Sequence, residues 1–224
     1  MCIRDRYPNI YIEKSGQKKL HQGVNLSNKK NQPKEKGGGR IRIIGGQWRS
    51  RKISFLEVPG LRPTGDRIRE TLFNWLGITI DGAHCLDLYA GSGILGFEAL
   101  SRGASKCTAL ENNPTVVKQL HTNCDALGAD LSIIITDSIK FLQHKNSGRV
   151  FDMVFVDPPF SKTLHTKSCA LLESNGWLAP DALIYCELPA TENLFATPPS
   201  WRIEKDKIAS GVRYMLYSRI ESGA

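Results

Sequence analysis

Long hydrophobic runs are missing from this chain. No stretch approaches the ~20 apolar residues of a membrane helix, and the N-terminus lacks the apolar run of a signal peptide. No internal repeat is present, which excludes solenoids and propellers. Cys2, Cys85, Cys107, Cys124, Cys169 and Cys186 form no Cys-x-x-Cys pair and have no accompanying His spacing. Such cysteines read as thiols in a reducing cytoplasm, neither disulfides nor zinc ligands, and no metal is required. Acid is scarce at one end only: residues 1–55 carry 14 Lys and Arg against 3 Asp and Glu, residues 56–224 carry 16 against 19. A basic arm on a near-neutral domain is the footprint of a polyanionic partner.

The 224 residues suffice for one α/β domain with a small extension. Residues 1–39 are rich in Lys, Asn, Gln and Gly, and a disordered basic tail is expected there. The first six, Met-Cys-Ile-Arg-Asp-Arg, match the translation of a transposon adapter used in library preparation and are expected to be a scar. From Arg40 the pattern changes. Ile41, Ile43 and Ile44 precede Gly45-Gly46, and Ile53 and Phe55 follow. A β-hairpin extension over residues 40–59 is expected, with Arg40, Arg42, Arg49, Arg51 and Lys52 as phosphate contacts. Trp48 fits either base stacking or packing against the domain. Residues 60–224 form the expected catalytic domain.

What that domain does have is chemistry at its strand ends. Cys85 to Tyr89 reads as a short strand running into Gly91-Ser92-Gly93 and a helix to about Arg102. Gly91 and Gly93 allow close approach of a ligand, and the helix N-terminus attracts a carboxylate. Glu111 ends a second strand, twenty residues after Gly91, where an acid accepts from ribose hydroxyls. Leu131 to Ile135 is a third strand, followed by Asp137 and Ser138, an edge suited to an adenine amine. Asp137 equally fits an N-cap for a helix beginning at Ser138. The apolar run Met153–Val156 is a fourth strand and ends in Asp157-Pro158-Pro159-Phe160. Neither proline donates a backbone hydrogen bond. That turn therefore offers two acceptors, the Asp157 carboxylate and the Pro158 carbonyl, with Phe160 as a stacking plate. The set suits the exocyclic amine of adenine, cytosine or guanine.

Gly91-x-Gly93-x-x-Gly96 with Glu111 downstream also matches a dinucleotide fingerprint. Asp87 lies within the first strand, where dinucleotide folds place an apolar residue, and hydride transfer has no use for Asp-Pro-Pro-Phe. S-adenosylmethionine accounts for all four elements: amino-acid end at the glycine loop, ribose at Glu111, adenine at Asp137, methyl towards Asp157. Thr71, on an amphipathic helix Asp66 to Leu76, is a further candidate contact, and Asp87 is grouped with the cofactor residues. A helix Pro114 to Leu127, a fifth strand Ala182 to Leu188 and a hairpin from Trp201 to Ile220 complete an expected seven-stranded, doubly wound sheet with one antiparallel strand.

The blocks Ile41–Arg49, Gly60–Thr64, Asp66–Leu76, Ala90–Gly93, Phe155–Phe160 and Asn175–Leu178 carry a resemblance. Over about Arg40 to Arg219 the chain resembles the RsmD family, bacterial 16S rRNA (guanine(966)-N(2))-methyltransferases. The resemblance implies a Rossmann-like class I fold, S-adenosylmethionine as donor, and a guanine amine in 16S rRNA of the small ribosomal subunit as acceptor. Asp157, Pro158 and Phe160 would then be catalytic. A monomer in the bacterial cytoplasm is expected. The strand-end residues alone do not choose guanine over adenine, or RNA over DNA. A DNA adenine methylase would use the same four ends, and a non-catalytic rRNA-binding assembly protein would keep the basic arm.

Overall fold

The computed structural model describes residues 11–12, 38–58, 62–148, 150–159 and 162–220. The expected adapter scar, most of the basic tail and Phe160 lie outside them. In chain order the elements are β1 (Tyr11–Ile12), β2 (Gly39–Arg42), β3 (Lys52–Phe55), α1 (Asp66–Leu76), β4 (His84–Asp87), α2 (Ile94–Ser101), β5 (Lys106–Glu111), α3 (Pro114–Leu127), β6 (Leu131–Ile135), α4 (Ser138–Gln143), β7 (Phe151–Val156), α5 (Lys162–Ser174), β8 (Leu178–Pro189), β9 (Trp201–Ala209) and β10 (Val212–Arg219).

Local signals set most of these bounds. Asn113 caps α3 by accepting from the Thr115 N–H at 3.0 Å, Pro114 opens the helix, and Gly128 ends it in the left-handed region. Gly93 opens α2 at φ 74°, and a Cβ there would stand 2.6 Å from Leu120 and 2.9 Å from Phe97. Packing as well as backbone shape thus demands glycine at that position.

The large sheet has the order β1-β6-β5-β4-β7-β8-β10-β9. From β6 to β8 every pairing is parallel, and β10 runs antiparallel to β8 and β9. These are the seven expected strands. One addition departs from the expected disorder of residues 1–39: β1 pairs antiparallel with the outer edge of β6, Tyr11 opposite Ile135 and Ile12 opposite Ile134. An open strand edge offers unpaired N–H and C=O groups that a short segment can satisfy. At the other edge, β9 is exposed along nearly its whole length and mixes Arg202, Glu204, Lys205, Asp206 and Lys207, charges that deter further pairing.

Alternation along the strands builds one core on each face. Cys85, Cys107, Ala109, Ile133, Phe155 and Tyr185 pack with residues of α1, α2 and α3. Leu86, Leu110, Ile134, Val154, Val156 and Ile184 pack with residues of α4 and α5. The chain leaves β4 towards β5 and β6, then returns to place β7 on the other side of β4. The sheet therefore switches direction beside β4, and a crevice opens at the carboxyl ends of β4 and β7.

The hairpin of β2 and β3 is a separate sheet fastened to the outside of α2 and α3. Asn123 of α3 bonds both the N–H and the C=O of Ser54, at 3.2 and 2.8 Å. The Ser101 hydroxyl donates to Gly45 O at 2.6 Å and accepts from the Trp48 N–H at 2.9 Å. Gly46 (φ 72°) lies so close to α2 that a Cβ would meet the Ser101 carbonyl at 1.8 Å. Beneath it, the fully buried Arg69 guanidinium bonds Glu98 and Asp66, each at 2.5 Å, and Glu98 accepts from the Ile44 N–H at 2.6 Å. Removing one partner from such a buried pair costs about 3–5 kcal/mol.

Candidate active site

A cavity of about 360 Å³ occupies the crevice, within the roughly 300–1,000 Å³ usual for small-molecule sites. Asp87, Gly91, Glu111, Asp137, Ser138, Asp157 and Pro158 all line it. Four consecutive parallel strands thus deliver their ends to one space.

Each acid there has a different local job. Asp87 is buried under the glycine loop, and its carboxylate accepts the backbone N–H groups of Tyr89 and Gly96. Burial, with smaller contributions from Glu111 and Glu187, pushes its pKa up to about 7. Asp87 therefore shapes the loop from below. Glu111 Oε2 accepts from the Gly91 N–H at 3.0 Å, and Oε1 accepts from Asn112 and Asn113 at 2.9 and 2.8 Å. Three backbone donors hold this carboxylate rigid, with lone pairs left for ligand hydroxyls. Asp137 Oδ1 caps α4 through the Lys140 N–H at 2.8 Å, so its capping role is real. The side chain is also exposed at the cavity, leaving Oδ2 for a ligand donor. Ser138 is buried and donates to Leu88 O, a bond that ties α4 to the end of β4.

Asp157 and Pro158 stand at the end of β7, as the strand reading requires. Part of Asp157 still reaches the cavity, but protein surrounds it. Burial, then Glu187 and Asp87, push its carboxyl well above the ordinary range. Among the described residues lining the cavity the only fixed positive charge is Arg62, exposed at the rim.

Sequence reasoning missed Glu187, Thr64 and Arg62. Glu187 lies on β8 in register with Asp157, since Val156 pairs with Cys186. It is buried and accepts from the Thr64 hydroxyl at 2.8 Å and the Tyr185 hydroxyl at 2.9 Å, both on Oε1. Burial pushes it up also. Its signal was available, an acid at the end of the fifth parallel strand. Thr64 and Arg62 belong to the Arg-Pro-Thr block, whose role only the tertiary contacts disclose.

Three expectations are revised. Thr71 does not line the cavity; its hydroxyl donates to Arg67 O at 2.9 Å within α1. Trp48 is 8% exposed and packs into the core beside α2, so it presents no free ring for a base. Arg51 reaches the carbonyls of Ala126 and Leu127 and satisfies the C-terminus of α3. Arg51 stays exposed, as do Arg40, Arg42, Arg49 and Lys52. Arg42 is opposite Lys52 and Arg40 opposite Ser54, so the three cations share the outer face of the hairpin. Arg42 is also paired with Asp66 at 2.7 Å.

The fold and crevice are those of the class I, Rossmann-like methyltransferases. An RNA methyltransferase from Salinibacter ruber, solved with S-adenosyl-L-homocysteine, shares this fold at TM-score 0.56 and 16% identity over 73% of this chain and 97% of that one. The likeness there is of fold alone. The family described as conserved hypothetical protein 95 matches residues 41–218. "Ribosomal RNA small subunit methyltransferase D" of Escherichia coli (strain K12) is 47% identical over 192 residues, 85% of this chain and 96% of that protein. The Haemophilus influenzae protein of the same name is 47% identical over 182 residues, 80% and 94%. The solved yhhF of Escherichia coli superposes at TM-score 0.76 with 45% identity, covering 82% of this chain and all of that one. The chain belongs to this family, the RsmD methyltransferases.

Proposed function

We propose that the protein transfers a methyl group from S-adenosylmethionine to the N2 amine of a guanine in 16S rRNA, position 966 by family resemblance, within the small ribosomal subunit. The observation that carries this reading is the set of acceptors around one cavity, the Asp157-Pro158 pair among them. Such a cavity favours a ligand that is cationic and rich in donors. The relatives' name supplies small-subunit rRNA as substrate, and the basic outer face of the hairpin suits its phosphates.

S-adenosylmethionine would supply a methyl already activated by a sulfonium. The glycine loop receives its amino-acid end, Glu111 accepts from the ribose hydroxyls and Asp137 from the adenine amine. Asp157 and the Pro158 carbonyl accept from the guanine amine and aim its lone pair at the methyl. Phe160 provides the stacking face for the extruded base. As the N2–carbon bond forms, the carbon–sulfur bond breaks and its electron pair stays on sulfur. Asp157 stabilises the charge growing on N2, and one N2 proton then leaves to solvent. Arg40, Arg42, Arg49 and Lys52 hold the rRNA backbone.

The test is mass spectrometry of 16S rRNA digests after incubation of unmethylated small subunits with the protein and labelled donor. One N2-methylguanine per subunit is expected. Label on adenine, or none on rRNA, would overturn the reading.

A further inference from the structure

Guanine differs from adenine and cytosine beside the amine. Next to its N2 amine stands N1–H, a second donor, whereas adenine N1 and cytosine N3 are acceptors. An enzyme can choose guanine by placing a second acceptor beside the one that meets the amine. The structure contains such a group.

Glu187 and Asp157 end neighbouring parallel strands in the same register, and both line the cavity. Two positions earlier, Phe155 and Tyr185 pack in the same core cluster, so alternation puts both carboxyls on one side of the sheet. Glu187 is 6% exposed. The Thr64 and Tyr185 hydroxyls both donate to its Oε1, and among the described residues no donor reaches Oε2. Thr64 is itself fixed: the Arg69 Nε donates to its carbonyl at 3.0 Å. A buried carboxyl is thus clamped by one oxygen while the other is left for the cavity. A second carboxylate oxygen beside the cavity can still accept from a donor that a ligand brings in.

We propose that Glu187 reads the guanine N1–H, and is the residue that makes this site select guanine. The inference rests on the guanine-N2 reading above. Asp157 takes the amine, Glu187 the adjacent ring N–H, and Thr64 and Tyr185 are positioning residues that aim Glu187. Adenine or cytosine with its amine at Asp157 would turn an unshared electron pair towards Oε2, and the site would reject it.

The test uses the full chain and small subunits reconstituted with either guanine or 2-aminopurine at the methylated position. 2-Aminopurine keeps the amine but has an acceptor at N1. The wild-type protein should prefer guanine by on the order of 10²-fold in kcat/KM or more, as sites built around a hydrogen bond do. Glu187→Gln, whose amide can donate to that acceptor, should lower the preference at least about 10-fold while leaving S-adenosylmethionine affinity unchanged. An unchanged preference in E187Q, with N2-methylguanine still formed by the wild type, sinks the role of Glu187 alone. Wild-type protein that modifies some other base sinks the functional reading instead. Should E187Q fail to fold, the wild-type comparison still decides: equal use of guanine and 2-aminopurine rules Glu187 out as the reader.

Discussion

The two halves of the cleft treat their carboxylates in opposite ways. On the β5–β6 side, Glu111 is met by three backbone N–H groups and Asp137 by one. On the β7–β8 side, Asp157 and Glu187 lie beside each other, surrounded by protein, and among the described residues only hydroxyls donate to Glu187. The first half suits neutral donors such as hydroxyls and an aromatic amine. Among the described residues the second is starved of backbone donors, and it favours any group on which positive charge develops. A carboxylate held by backbone donors makes a good clamp; one without them makes a good stabiliser of a transition state.

The strongest way to break this contrast is Asp157→Ala. It removes an acceptor on the β7–β8 side and touches nothing on the β5–β6 side. Methyl transfer should fall by on the order of 10²-fold or more, with donor affinity by calorimetry unchanged. A wild-type rate would make the strand-end turn a structural cap. Glu111→Ala should do the converse: donor affinity falls by about 1–3 kcal/mol, and the rate at saturating donor falls less. Part of that loss will come from the Gly91 N–H that Glu111 also holds.

Asp87 sits between the halves, and its prediction concerns stability. Its folded pKa of about 7 stands above the 3.8 of an ordinary aspartate. The native state therefore holds a proton that the unfolded chain has lost. The stabilisation is complete below about pH 4 and is lost as pH rises through about 7, with a slope approaching about 1.4 kcal/mol per pH unit. Asp87→Asn should flatten that slope in denaturant titrations. A steeper fall in the variant would show the sign to be wrong.

Changes outside the cleft should leave both halves alone. Arg40, Arg49 and Lys52 replaced by Gln should weaken rRNA binding and reduce its salt slope by up to about one unit per lost phosphate contact. An undiminished slope would mean that other cations hold the RNA. Thr71→Ala should be the smallest effect of all, with no measurable change in donor affinity, since its hydroxyl is spent within α1.

Strand ends were legible because a parallel strand is an apolar run and its last residue is fixed by the turn after it. Glu111, Asp137 and Asp157 were placed on that basis alone, and all three line the cavity. Trp48 and Arg51 were not legible, because their partners, Ser101 and the carbonyls of Ala126 and Leu127, lie 53 to 76 residues away. A basic, aromatic hairpin looks the same in sequence whether its side chains face RNA or the domain. Thr71 failed for a simpler reason: a threonine inside a helix can spend its hydroxyl on the preceding turn.

The hairpin's attachment has an engineering consequence. Arg42 bonds Asp66, Asp66 bonds Arg69, Arg69 bonds the Thr64 carbonyl, and the Thr64 hydroxyl bonds Glu187. Grafting residues 40–59 onto another methyltransferase core would therefore transplant charge without address. The transferable cassette is discontinuous: the hairpin, the stretch 62–69, the Glu98 and Ser101 sockets on α2, Asn123 on α3 and Glu187 on β8. Shuffled chimaeras of related enzymes should tolerate crossovers between 42 and 69 least, and a crossover after residue 103 must still bring Asn123 to Ser54 and Glu187 to Thr64.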